Sequence, residues 1–280
     1  MQGKLVMVST PIGNLGDISK RAIEAFENAD SVVVEDTRVT AKLLSSLGLN
    51  RHVIRCDDNV IARLTPMLLE RIAQGETIVF CSDAGTPSVS DPGAYLVSAA
   101  LDEGLEVEVV PGASALLTAF VASGFITTSF YFGGFLPRKL GEKNKLFESL
   151  RNLDAVLIFY ESPNRTVASL KAIAEAFPLR EVVLARELTK LHEEVLRMPA
   201  ADLVKELSHR DKPLKGEVVL LIGPPPFEET ENTVSWDAVR ARALDLLRGG
   251  MARSSVVKQL TTEFDVPRNT LYRIVHKLKV

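Results

Sequence analysis

The chain has 280 residues, of which 46% are hydrophobic, 25% charged and 6% aromatic, and its formal net charge is −3. This is the composition of an ordinary globular protein, long enough for two domains and a small further module. No apolar run approaches the roughly 18 residues that span a bilayer. Cys56 and Cys81 provide neither a disulfide framework nor metal-ligand spacing.

Taken in chain order, short apolar runs alternate with helical patterns. The opening MQGKLVMV lacks a signal-peptide layout, so a cytoplasmic location is expected. Residues 5–9, 31–35, 52–55, 77–81 and 106–110 read as strands, with helices near 18–28, 40–47, 61–73 and 95–102. The alternation resumes after Gly124. Strands are expected at 130–135, 155–160, 182–185, 194–198 and 217–222, with helices at 143–152, 165–176 and 201–208. Continuous β-branched runs separated by helices predict parallel strands covered on both faces. The expected fold class is α/β, with an N-terminal domain over 1–122 and a second α/β domain over 123–226. A Pro-rich and then acidic stretch, Glu228 to Asn232, reads as a linker.

The last segment, 234–280, changes character. It has no strand-like run, only amphipathic helices. Val256, Val257, Leu260 and Phe264 line one helix, and Leu271, Ile274, Val275 and Leu278 line the next after a break near Pro267, a helix-turn-helix-like pattern. From Trp236 to Val280 there are nine Lys and Arg against four Asp and Glu, whereas the preceding part is acidic. This asymmetry points to a basic binding appendage, with Arg253, Arg268, Asn269, Arg273 and Lys277 as candidate contacts to phosphates or bases; a simple helical cap or dimerisation element is the alternative.

Phosphate-binding loop signatures, a dinucleotide fingerprint, a nucleophile elbow and a zinc pattern are all missing. What remains is a set of strand-to-loop junctions. Residues 77–81 run into SDAGTPSVSDPG, and 106–110 end in PGASA before a helix. Loops rich in Gly, Pro, Ser and Asp make tight turns that leave backbone groups free, at the strand ends where open α/β sheets hold ligands. Charged clusters follow other strands: EDTR at Glu35–Asp36–Thr37–Arg38, ESPNR ending in Arg165, and RELTK from Arg186 through Glu187 to Lys190.

These strings, together with STPIGNLGDIS from Ser9, resemble the tetrapyrrole-methylase superfamily. Within it they resemble the bacterial 16S ribosomal RNA (cytidine-2′-O)-methyltransferases. The match covers about residues 4–224, and the C-terminal helices are similar to that group's small extra domain. The resemblance implies two αβα domains with S-adenosylmethionine (SAM) in a cleft between them. It places the cofactor on Ser82, Asp83, Ala84, Gly85 and Pro87, on Pro111, Gly112, Ala113, Ser114 and Ala115, and on Tyr160, Ala185 and Arg186. The implied reaction is methylation of a cytidine 2′-hydroxyl at position 1402 of 16S rRNA, in the decoding region of the 30S subunit, by a homodimer without a metal ion. Asp83 is the expected cofactor-orienting carboxylate. Asp36, Glu35, Glu187 and Lys190 are candidates for removing the hydroxyl proton, and Arg38 and Arg165 for RNA phosphates. Methylation of a small tetrapyrrole such as a cobalamin precursor is the competing expectation. A regulator that merely senses SAM is a third.

Overall fold

The computed structural model describes residues 3–225, 235–264, 266 and 268–278. The expected acidic linker, Asp265, Pro267, Lys279 and the side chain of Asn269 lie outside the described residues. Contacts divide the chain into two units, 1–118 with 187–193, and 119–186 with 194–280.

In the first unit, five parallel strands form a sheet: β1 (Lys4–Val8), β2 (Ser31–Val34), β3 (Val53–Arg55), β4 (Thr77–Cys81) and β5 (Glu106–Val110), in the order β3-β2-β4-β1-β5. Both sheet faces are buried because successive residues point to opposite sides. Leu5, Met7, Ile78 and Phe80 pack with α3 (Ile61–Ala73) and α4 (Gly93–Asp102). Val6, Val8, Val79 and Cys81 pack with α1 (Lys20–Glu27) and α2 (Thr37–Ser46) on the other side. Neighbouring strands β1 and β4 therefore feed helices on opposite faces. Beyond their carboxyl ends the chain is led to opposite faces, which makes this the sheet's topological switch point. The unit boundary falls within α5 (Ala115–Ser123).

The second unit holds β6 (Phe130–Phe135), α6 (Leu140–Leu150), β7 (Val156–Glu161), α7 (Pro163–Ala176), β8 (Glu181–Arg186), β9 (Glu194–Pro199), α8 (Ala200–Ser208) and β10 (Val218–Ile222). Its sheet order is β6-β7-β10-β8-β9. The expectation of parallel strands fails here. Only β6 and β7 run parallel, while β10 is antiparallel to β7 and β8, and β8 is antiparallel to β9. The reason is the short link Glu187–Glu193 between β8 and β9, which lacks the dozen or more residues a parallel crossover needs.

The helical module of this unit comprises α9 (Trp236–Arg248), α10 (Arg253–Phe264) and α11 (Arg268–Lys277). Val239, Val256, Val257, Leu260, Leu271 and Val275 form its own small core. Ser235 caps α9 by accepting from the Ala238 N–H.

Candidate functional site

Strands β4, β1 and β5 are adjacent in the first sheet, and the loops leaving their carboxyl ends are laced together. The Thr10 N–H donates to the Gly85 carbonyl at 2.9 Å and the Gly85 N–H returns to the Thr10 carbonyl at 3.1 Å. The Thr10 hydroxyl donates to the Ser82 carbonyl at 3.1 Å and the Ser82 hydroxyl to the Gly85 carbonyl at 3.0 Å. Thr86 donates to the Ala113 carbonyl at 3.0 Å, tying the β4 loop to the β5 loop.

Two glycines make this crossing possible. Gly85 has φ +86°, a left-handed conformation that favours glycine. A Cβ on Gly112 would lie 2.8 Å from the Ser9 Cβ, closer than side chains pack. Ser82 and Gly85 are buried, while Asp83, Ala84 and Gly112 reach the surface. The first turn of α5 adds N–H groups with no intrahelical partner. A rigid frame with exposed backbone at a switch point fits a nucleotide-like sulfonium cofactor held by main-chain contacts.

Beside this frame a cavity of about 670 Å³ is lined by Glu35, Asp36, Arg38, Arg55, Asp57 and Asp83 among others. Its carboxyl groups differ sharply. Burial, then the nearby Asp83 carboxylate, pushes the Glu35 pKa up. Burial likewise raises that of Asp83, whose Oδ1 accepts the Asp36 N–H at 3.1 Å. Asp36 instead is held down at about 2 by hydrogen bonds from the Arg38 side chain and backbone. Asp36 is also the N-cap of α2, so its carboxylate already has a structural task, and Arg38 is its ion-pair partner at 2.6 Å. Burial pushes the Cys81 thiol up to about 12 and Cys56 to about 11, so neither is a ready thiolate nucleophile.

The loop after β8 packs within the first unit. Glu187 and Thr189 adopt φ +52° and +66°, uncommon for residues with side chains. Lys190 Nζ bonds Glu187 Oε1 at 2.8 Å. A Cβ on Gly13 would come within 2.4 Å of Lys190 Cγ, so this loop lies directly against the loop after β1. Glu187 and Lys190, separate proton-transfer candidates in the sequence, are thus an ion pair.

In the second unit, Tyr160 near the end of β7 stands edge-on to Phe132 and Phe135, with ring centroids 4.9 and 5.6 Å away. The next residue, Glu161, is only 2% exposed and lies in a buried charged network. It accepts from the Ser162 N–H at 2.7 Å, the Ser169 hydroxyl and the Arg165 guanidinium. Lys143, 5% exposed, donates to Ser169 at 2.7 Å. Ala185 is buried, and Arg186 bonds Glu194 at 3.1 Å and the Lys215 carbonyl at 3.2 Å. Arg38, Arg165 and Arg186 therefore all have partners within the chain.

Of the basic candidates in the helical module, Arg253 donates to the Val275 carbonyl and, at 3.0 Å, to that of Leu278, closing the end of α11. Arg273 bonds the Pro225 carbonyl at 2.7 Å and Asp154 at 3.3 Å. Arg268 and Lys277 are exposed. Sequence reasoning singled out neither Thr10 nor Thr86, whose hydroxyls lace the loops, nor buried Lys143. A Thr at the junction after the first strand was the signal available for Thr10, and a Thr next to the loop glycine Gly85 that for Thr86. Among the described residues no cluster of His, Cys, Asp and Glu could hold a metal ion, and no helix is long and apolar enough to cross a membrane.

The family model of tetrapyrrole (corrin/porphyrin) methylases matches residues 4–204. Among curated proteins, "Ribosomal RNA small subunit methyltransferase I" of Halalkalibacterium halodurans is 36% identical over 99% of this chain and 96% of its own. The protein of that name from Mesorhizobium japonicum is 38% identical over 100% and 93%, and that from Vibrio cholerae 42% over 78% and 76%. Among solved structures, the methyltransferase CobJ aligns with TM-score 0.61 at 21% identity over 79% of this chain and 94% of its own. Uroporphyrin-III C-methyltransferase of Thermus thermophilus, solved in complex with S-adenosyl homocysteine, gives 0.55 at 19% over 79% and 97%. Diphthine synthase gives 0.60 at 16% over 97% and 100%.

Fold, loop frame and relatives together define an enzyme of the SAM-dependent methyltransferase class. More particularly, the chain belongs to the tetrapyrrole (corrin/porphyrin) methylase family.

Proposed function

We propose that this enzyme methylates the ribosomal RNA of the small subunit, at the 2′-hydroxyl of the decoding-region cytidine that its sequence resemblance implies. The observation that carries this reading is identity of 36–38% running through the basic helical module to nearly the full length of proteins named for that activity. CobJ and uroporphyrin-III C-methyltransferase share the fold alone with this chain, at 21% identity or less over 79% of it, and lend no comparable support to a tetrapyrrole substrate. On this reading the enzyme acts in the cytoplasm on 30S particles, as a homodimer.

Bound SAM supplies a methyl group already activated by its sulfonium. The chain's own residues supply placement and proton handling. Ser82, Asp83, Ala84, Gly85 and Pro87 and the run from Pro111 to Ala115 hold the cofactor through the laced backbone. Placement matters most, because aligning two reactants removes much of the entropic barrier. A ribose hydroxyl gives up its proton reluctantly, so a base with raised proton affinity is needed. Glu35 has that environment, whereas Asp36 is held strongly acidic by Arg38. We assign Glu35 as the proton acceptor. Glu35→Gln is expected to lower kcat by about 10²–10⁴ while SAM affinity, read by calorimetry, stays within error. Equal turnover by the variant rules Glu35 out.

The decisive experiment incubates the protein and methyl-labelled SAM with 30S subunits from cells lacking its gene, followed by mass mapping. One new ribose methyl in 16S rRNA is expected. Labelling of no rRNA nucleotide overturns the assignment.

A further inference from the structure

The second unit contains a basic groove that the methyl-transfer site does not use. It has a volume of about 570 Å³ and runs between α9 and α11 on one side and the segment after β10 on the other. Four cations line it, Arg197, Arg240, Arg273 and Lys277, against a single acid, Glu181. That acid is already engaged by Arg197 at 2.6 Å.

The groove is built, not merely charged. Arg197 sits 4.7 Å over the Phe125 ring and donates to the Ser123 and Gly124 carbonyls at 3.0 and 3.1 Å, so its guanidinium is held in one place. Arg273, with a side chain only 15% exposed, is oriented by the Pro225 carbonyl and Asp154. Its buried Nε has no acceptor among the described residues, a costly omission unless something supplies one. Lys277 follows Arg273 by four residues, hence on the same face of α11, and it is exposed. Pro224, Pro225 and Ile274 add apolar lining.

We propose that this groove binds a backbone phosphodiester of the RNA substrate, so that the helical module and the β10 end grip the RNA jointly. The inference rests on the RNA reading above. Preoriented guanidiniums beside a flexible ammonium suit a phosphate oxygen set, and apolar lining suits the adjoining sugar. Arg240 pairs with Asp237 at 3.5 Å and Arg273 with Asp154 at 3.3 Å, yet the lining itself keeps four cations to one acid, and that local excess favours an anion. The geometry also redirects Arg273. It does not reach outward from a recognition helix but turns back toward the sheet domain.

The test compares the full-length enzyme with Lys277→Glu and, as a control of equal charge change, with Lys171→Glu on the exposed face of α7. Binding of a labelled single-stranded 16S fragment is followed across salt concentration. Lys277→Glu is expected to flatten the log–log salt slope by about 0.7 and to raise the KM for 30S subunits, leaving SAM affinity and kcat as in wild type. Lys171→Glu is expected to leave the slope unchanged. An unaltered slope in Lys277→Glu, or an equal flattening in both, overturns the groove. A wild-type enzyme that labels no rRNA instead overturns the functional reading, whatever Lys277→Glu does.

Discussion

A methyl group on Gly112 has nowhere to go, because it would lie 2.8 Å from the Cβ of Ser9. Gly112→Ala must push the β5 loop off the β1 loop. SAM affinity is expected to fall at least about tenfold, roughly 1.4 kcal/mol, with folding largely retained because the site lies at the surface. Calorimetry reading wild-type affinity in this variant excludes the loop as the cofactor's seat. Asp83 allows a test through pH. Burial raises its pKa in the folded state, so the protonated form is favoured by folding. That stabilising term is present at low pH and is lost as pH rises through the raised pKa. Asp83→Asn keeps an acceptor for the Asp36 N–H but cannot ionise. Its Tm is expected to equal or exceed that of wild type at neutral pH, and the difference to shrink as pH falls toward about 4, the ordinary carboxylate range. A variant less stable at neutral pH than at acid pH, relative to wild type, contradicts this.

Among the elements, β7 and α7 are joined by the most heavily buried polar cluster described above. Removing Glu161 leaves Lys143 and Arg165 as uncompensated charge. Glu161→Ala is therefore expected to cost on the order of 3–5 kcal/mol in urea unfolding. A loss below about 1 kcal/mol would mean water reaches the cluster. Element type and order were legible in the sequence, because fully buried strands of the first sheet are continuous apolar runs such as SVVV and TIVFC. Strand direction in the second sheet was not. A run buried on both faces carries no mark of its orientation, and only the shortness of the link from Glu187 to Glu193 betrayed the hairpin. The loops proposed to hold the cofactor stood out by their Gly and Pro content. Their lacing did not, since Thr10 and Gly85 are far apart in sequence and a hydrogen bond between loops leaves no periodic trace. Lys143 stood in the sequence only as the start of an expected helix, and its burial goes with a network around Glu161 that only the fold brings near.

At the scale of the whole molecule, the helical module has its own core, so removing residues 236–280 leaves both sheet cores intact. The shortened enzyme is expected to keep SAM binding while its RNA affinity loses about 0.7 of salt slope for each phosphate contact removed. Full-strength RNA binding without the module would mean that the sheet domains alone carry recognition. The paired hydrogen bonds between Thr10 and Gly85 have a consequence for the timing of turnover. They join two loops before any ligand arrives, so the amide hydrogens of these residues should exchange slowly with deuterium in the apoenzyme and remain slow when SAM is added. A socket already set in shape charges no ordering entropy on entry and has no door of its own to open on exit. Release of the spent nucleoside is then governed by whatever else holds it.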